Sequence, residues 1–347
     1  MTYHENLNAQ NTLKLREMLK TLPQFVAGYF RSVGEQTASL TRLAYAYDLR
    51  IFFTFLSEDI LHVPPVDIDL EHMAKINDEH IEEFMQYLSY YVPAENPDAP
   101  VQNATAGKSR KLAAVRRLFK YLYKRKYIPA NPAELVDFPR IKEKPIITLE
   151  VDEIARLLDE VDSGENLTKH QKVFHARTRL RDAAIITLLL GTGMRVSECV
   201  GLDLRDIDFE VNGLRVVRKG GDTAILYFGD EVRDALCTYL DHRESLDPAE
   251  GHENALFLST MGKNRRMTTR AVQLLVKKYS ALITQLKTIS PHKLRSTFGT
   301  RLYTETGDIY LVANVLGHSD VNTTRKHYAK MDDAHRRKAA NIVKLRG

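Results

Sequence analysis

The sequence predicts a mainly helical protein of two domains, with one small three-stranded antiparallel β-sheet in the second. Three observations carry that prediction. Apolar residues recur at three- and four-residue spacing along most of the chain, which is the helix period. Only residues 205–228 switch to a strand pattern, around the hairpin signal Asn212-Gly213 and a second turn at Gly220-Gly221-Asp222. Asn131-Pro132 then interrupts the helical pattern, and Phe138 to Pro145 reads as extended chain. A length of 347 residues accommodates two domains. The expected boundaries are an arm or short helix over 1–20, a helical domain over 21–130, a linker over 131–147 and a second domain over 148–347.

The elements follow in order. Leu40, Leu43, Ala44, Tyr47, Ile51, Phe52 and Phe55 predict a helix over 36–57. Asn77 or Asp78 caps the next, which carries Ile81, Phe84, Met85 and Leu88. Pro93 to Gly107 is a surface loop. The run GKSRKLAAVRRLFKYLYKRKY is a helix that buries Leu112, Val115, Leu118, Phe119 and Leu122. Four helices in this span make a small bundle. The second domain opens with Thr148 as cap and Glu150, Asp152 and Glu153 in the first turn, where acids complement the helix dipole. A buried helix over Ala183 to Leu190 runs into Gly191-Thr192-Gly193. Helices resume at Asp230, after the sheet.

Composition narrows the function. An apolar content of 44% supports sizeable cores. Cys199 and Cys237 lie in different predicted helices without metal-ligand spacing, and read as small core residues of a reducing compartment. No basic-then-apolar leader opens the chain, and no apolar run approaches the roughly 20 residues that cross a bilayer.

A net charge of +5 is weak evidence of a polyanionic partner, but local clustering is stronger. Lys108, Arg110, Lys111, Arg116, Arg117, Lys120, Lys124, Arg125 and Lys126 make nine cations with no acid among them. Solvated helices mix signs, so a one-sign run of this density points to double-stranded DNA. Lys108, Arg110 and Lys111, near the helix start, are the first candidates for groove or phosphate contact. Thr41, Arg42 and Tyr45 on the earlier helix come second. Arg140 in the linker, and Arg265, Arg266 and Arg270 around the Thr268-Thr269 helix start, complete the set.

The reactive residues stand in three short stretches. Arg195 lies in GTGMRVSE and is expected in the first turn of a new helix, with Glu198 either pairing it or orienting a neighbouring group. His292 and Arg295 lie in SPHKLR, on a helix capped by Ser290 with Pro291 at its first position, so one face presents both. His318 follows Leu316-Gly317, a glycine stop between helices, and Tyr328 follows ten residues later. Planar guanidiniums fit the non-bridging oxygens of a phosphate. Histidines move protons near neutral pH, and a tyrosine hydroxyl can attack phosphorus to form an ester. Lys219, on the RKGGD turn, can protonate a departing alkoxide; Arg218 beside it hardly gives up a proton. Such a set can be expected to break a phosphodiester with neither metal nor nucleotide cofactor.

At GTGMRVSE, SPHKLR and LGHSD the chain resembles the tyrosine recombinase (phage integrase) family, its simple Xer-type members most closely. The resemblance implies a helical core-binding (SAM-like) domain, a catalytic domain and a two-domain, C-shaped clamp on DNA. It nominates Arg195, Lys219, His292, Arg295 and His318 as catalytic, and Tyr328 as the nucleophile forming a 3′-phosphotyrosyl link. Ser296 stands where many relatives carry another histidine, and the His318–Tyr328 spacing is one longer than the commonest form. The resemblance further implies a terminal exchange helix, four protomers on two DNA sites (identical, or paired with a paralogue) and a Holliday junction; the lack of a leader and of a membrane-length apolar run predicts a place in the cytoplasm or nucleoid.

Overall fold

The computed structural model describes residues 2–34, 36–93, 96, 98–141, 146–218, 221–260, 262–318, 320 and 321. The chain divides into two compact units, Met1–Lys144 and Pro145–Gly347.

In the first unit, α1 (Tyr3–Leu19) replaces the loose-arm alternative expected for the first twenty residues. Thr2 and Glu5 form a capping box at its start. Leu15 is buried in the core and Asn11 donates to Ser39 Oγ at 3.2 Å. Few apolar side chains do this, so the periodic signal was faint. Helices α2 (Gln24–Ser32) and α3 (Ser39–Phe55) follow, and α3 ends in a π-helical turn over Leu56–Leu61. Next come α4 (Leu70–Ala74), α5 (Asp78–Tyr87), capped by Asn77, and α6 (Thr105–Lys124). The described residues of the span 21–130 thus hold five α-helices, not four, because the five-residue α4 is too short to show a period. Phe52, Phe53, Phe84, Leu112, Val115 and Phe119 are among its fully buried side chains. The stretch expected to open the linker joins this core instead. A 3₁₀ turn over Pro132–Glu134 and the buried Ala133 and Val136 pack with it, and Arg116 lies 4.7 Å over the Phe138 ring.

The second unit begins with α7 (Val151–Ser163). Its cap is Glu150 rather than Thr148: Glu150 N–H donates to Glu153 at 2.8 Å, while the Thr148 carbonyl accepts from Lys287 Nζ. Helix α8 runs from Lys169 to Thr192, fourteen residues earlier than the apolar run suggested. Its first half buries polar groups, which hid it. His175 bonds the Val161 carbonyl at 2.7 Å. Asp182, 1% exposed, accepts from Thr178, Arg181, Lys278 and Tyr279. The overlooked start signal is Thr168 with Gln171, a capping box.

Helix α9 (Val196–Gly201) precedes the sheet, β1 (Ile207–Asp208), β2 (Gly213–Val217) and β3 (Thr223–Tyr227). It is antiparallel in the order β1-β2-β3, with Leu214 opposite Leu226. Helices α10 (Asp230–Arg243), α11 (Thr269–Ile283), α12 (Pro291–Thr306) and α13 (Ile309–Leu316) complete the described fold. Cys199 is buried, which pushes its thiol up to about 12; Cys237 is half-buried, and neither is bonded. No helix among the described residues is long and apolar enough to cross a membrane.

Candidate active site

Two glycines with left-handed backbone shape the site. Gly193 (φ +61°) ends α8 and turns the chain into Arg195. A methyl there would sit 2.4 Å from the Phe298 ring, so the bend has room only for hydrogen. Gly317 (φ +62°) ends α13. It closes a double-bonded cap: His318 N–H donates to the Ala313 carbonyl and Gly317 N–H to that of Asn314, both at 2.9 Å.

That cap leaves the last carbonyls of α13 for side chains, and three arginines supply donors. Arg295 on α12, 5% exposed, donates to the Leu316 carbonyl and, at 2.7 Å, to that of Gly193. Arg195 donates to the Gly317 carbonyl at 3.0 Å. Arg218, just after β2, donates to Val315 at 3.1 Å and to Asn314 at 3.4 and 3.5 Å. Cations at a helix C-terminus also meet the negative end of its dipole. Side chains from three distant segments thereby surround one turn.

Arg195 is the N-cap of α9, one position before the expected first turn. The acid three residues on binds it twice. Glu198, 4% exposed, accepts from the Arg195 backbone N–H and from its Nη1, each at 2.8 Å. Glu198 therefore pairs with Arg195; the orienting and pairing readings merge, because the group it orients is that arginine. An open cleft lies alongside, lined by Arg195, Arg218, Asn314, Gly317, His318 and Asp320. His292 is exposed at the second position of α12 and Arg295 is buried one turn on. Ser290 occupies the cap position, but its backbone carbonyl, not its hydroxyl, meets Lys293 and Leu294. Ser296 Oγ donates to the His292 carbonyl at 3.0 Å. Lys219 and Tyr328 lie outside the described residues, as does the terminal exchange helix.

The DNA-contact candidates separate by environment. Lys111 is buried, its amine 2.8 Å from Asn103 Oδ1; burial pushes its ammonium down, with Asp48 opposing. Arg266 donates to the Val200 and Leu202 carbonyls and pairs with Asp203. Both charges meet the protein's own oxygens: Lys111 that of Asn103, and Arg266 backbone carbonyls and Asp203. Sequence cannot separate such cations from exposed neighbours. Arg110 is about half exposed and pairs with the buried Asp48. Lys108 reaches Ser89 Oγ at 2.6 Å. Thr41, Arg42 and Tyr45 are half-buried, and Arg117 lies 5.7 Å over the Tyr45 ring. Arg140, Arg265 and Arg270 are exposed.

A mixed α/β unit that gathers arginines from distant segments beside a histidine, preceded by a helical unit with a basic helix, defines a class that handles nucleic-acid phosphates. The signature of the phage integrase family matches residues 148–335. Tyrosine recombinase XerC of Caldanaerobacter subterraneus subsp. tengcongensis is 34% identical, over 95% of this chain and 89% of its own. Tyrosine recombinase XerS of Streptococcus pyogenes is 30% identical, over 95% and 98%. Among solved structures, the XerH site-specific recombinase bound to a palindromic difH substrate aligns over 98% of this chain and 97% of its own. That match has 20% identity and a TM-score of 0.64, so the fold is shared. The chain belongs to the phage integrase family and is a site-specific tyrosine recombinase of Xer-like kind.

Proposed function

We propose that Tyr328 attacks the scissile phosphate and holds the cut strand as a 3′-phosphotyrosyl ester. Arg195 and Arg295 neutralise the non-bridging oxygens as charge builds, with His292 and His318 donating to them. Lys219 gives its proton to the departing 5′ oxygen. The Tyr328 O–P bond forms as the P–O5′ bond breaks, and the ester conserves the bond's energy for rejoining. A free tyrosine titrates at about pH 10, so the reaction depends on surrounding cations. The observation that carries this reading is the meeting of Arg195 and Arg295 at the Leu316–Gly317 turn, beside His318. Such chemistry is mostly positioning and charge stabilisation.

The released 5′ hydroxyl then attacks the phosphotyrosine on a partner duplex, giving a Holliday junction that a second round resolves. Four protomers, identical or paired with a paralogue, hold two sites. Arg110, Lys108, Arg140, Arg265 and Arg270 contact its backbone. Dimer resolution and mobile-element recombination are the two roles open to such an enzyme in the nucleoid.

The test is a nicked suicide duplex carrying cleavage sites mapped on genomic DNA. The parent should form a covalent complex and Tyr328→Phe none, with binding retained. Covalent product from the phenylalanine variant overturns the assignment. Relaxation of supercoils without exchange of two marked sites would instead indicate a type IB topoisomerase activity. Binding without any covalent product from the parent would indicate a regulator.

A further inference from the structure

Arg218 is not among the six residues assigned to the chemistry, yet its guanidinium lies on the same turn as Arg195 and Arg295. It stands where β2 ends and the β2–β3 turn begins, one peptide unit before Lys219. Its backbone closes that turn. Arg218 N–H donates to the Asp222 carbonyl at 2.7 Å, and its carbonyl accepts from Gly221 N–H at 3.1 Å. Its side chain crosses to the Asn314 and Val315 carbonyls, fixing the base of the turn to the end of α13.

Gly317 supplies an independent observation. A methyl on it would lie 2.1 Å from Arg218 Nη1 and 2.4 Å from Cζ, so the guanidinium occupies the space left by the missing side chain. The glycine that ends α13 thus also admits the arginine. An arginine is unsuited to proton donation, because a guanidinium hardly gives up a proton. A fork across helix-end carbonyls is suited to holding a strand end in place.

We propose that Arg218 is a positioning residue for the general acid: it anchors the base of the β2–β3 turn to α13 so that Lys219 meets the leaving 5′ oxygen. The inference rests on the reading of Lys219 given above. It implies a defect in protonation of O5′, since the contacts of Arg218 hold the base of the turn that carries Lys219.

The experiment uses the full chain and two versions of the mapped nicked suicide duplex, with oxygen or sulfur at the 5′-bridging position. A thiolate leaves without a proton, so the sulfur duplex needs no general acid. On the oxygen duplex Arg218→Ala should cleave more slowly by a factor on the order of 10², the scale of an ångström-sized misplacement. On the sulfur duplex it should recover to within a few-fold of the parent, as Lys219→Ala should. Arg218→Lys, which disturbs the anchor differently, should show a smaller loss with the same recovery; it carries the test should the alanine variant not fold.

Recovery of Lys219→Ala but not of the Arg218 variants overturns the anchor, since Arg218 would then be acting on the phosphate charge. Unchanged oxygen-duplex rates overturn it as well. Failure of Lys219→Ala itself to recover removes the general-acid reading and the inference with it. Cleavage by Tyr328→Phe on either duplex identifies failure of the nucleophile assignment separately.

Discussion

The guanidiniums of Arg195 and Arg295, 100 residues apart in sequence, donate to the carbonyls of adjacent residues, Gly317 and Leu316. Fixed charge is thus gathered where α13 ends. Their surroundings differ: Arg295 is 5% exposed, whereas the Arg195 side chain is about one-third exposed and faces the cleft.

Arg195→Ala and Arg295→Ala should both lower covalent-complex formation by roughly 10²–10³-fold while leaving DNA affinity largely intact. They should separate in stability. Losing Arg295 strands the Gly193 and Leu316 carbonyls in a buried setting, at a cost of about 1–3 kcal/mol. Losing Arg195 should cost less. Denaturant melts alongside cleavage assays check this, and equal melts for the two variants would contradict it.

Glu198 holds Arg195 by both its backbone and its side chain. Glu198→Gln keeps the shape but removes the charge that fixes the guanidinium, so cleavage should fall by about 10-fold or more, given how strongly such reactions depend on positioning. DNA binding should be unaffected in gel shifts. Parent-like cleavage rates would show that Arg195 is aimed by its carbonyl contact alone.

Burial pushes the Asp48 carboxyl up, with Arg110 and Lys111 opposing. A carboxyl raised above its unfolded value contributes stability that is full below the unfolded value and lost as pH rises through the folded one. At neutral pH the ionised group therefore costs stability. Asp48→Asn should match or exceed the parent's denaturant midpoint at pH 7, and the difference should shrink as pH falls towards the ordinary carboxylate range. A loss of more than about 1 kcal/mol at pH 7 would mean that pairing with Arg110 outweighs burial.

Asp182 is the polar centre of the second unit's core. Asp182→Ala leaves Arg181 and Lys278 without their shared carboxylate and should destabilise the unit by about 3–5 kcal/mol. Asp182→Asn should cost less, because it retains acceptors for Thr178 and Tyr279. Urea unfolding followed by circular dichroism distinguishes the two. Equal losses would assign the effect to charge alone.

Much of the architecture was legible because its signals are local. Asn212-Gly213 marked the β1–β2 hairpin, and Asn212 adopts the left-handed backbone that such a turn demands (φ +49°). Gly193 and Gly317 marked helix ends for the same reason. Less legible were α1, which buries just Asn11 and Leu15, and the first half of α8, where buried side chains are polar and paired across the fold. The extension of the first unit's core to Val136 was equally hidden, since two small buried residues after a proline carry no period.

The sequence by itself determined which residue types stand ready for phosphate chemistry and which family they mark, because residue order and short-range spacing are written in the chain. Only the tertiary structure decided which cations are available. Lys111 and Arg266 are held by the protein's own oxygens, Arg195 is aimed by Glu198, and Arg218 is drawn onto the end of α13. The physical reason is that an arginine's role depends on which acceptors surround it, and those acceptors come from segments brought together by folding.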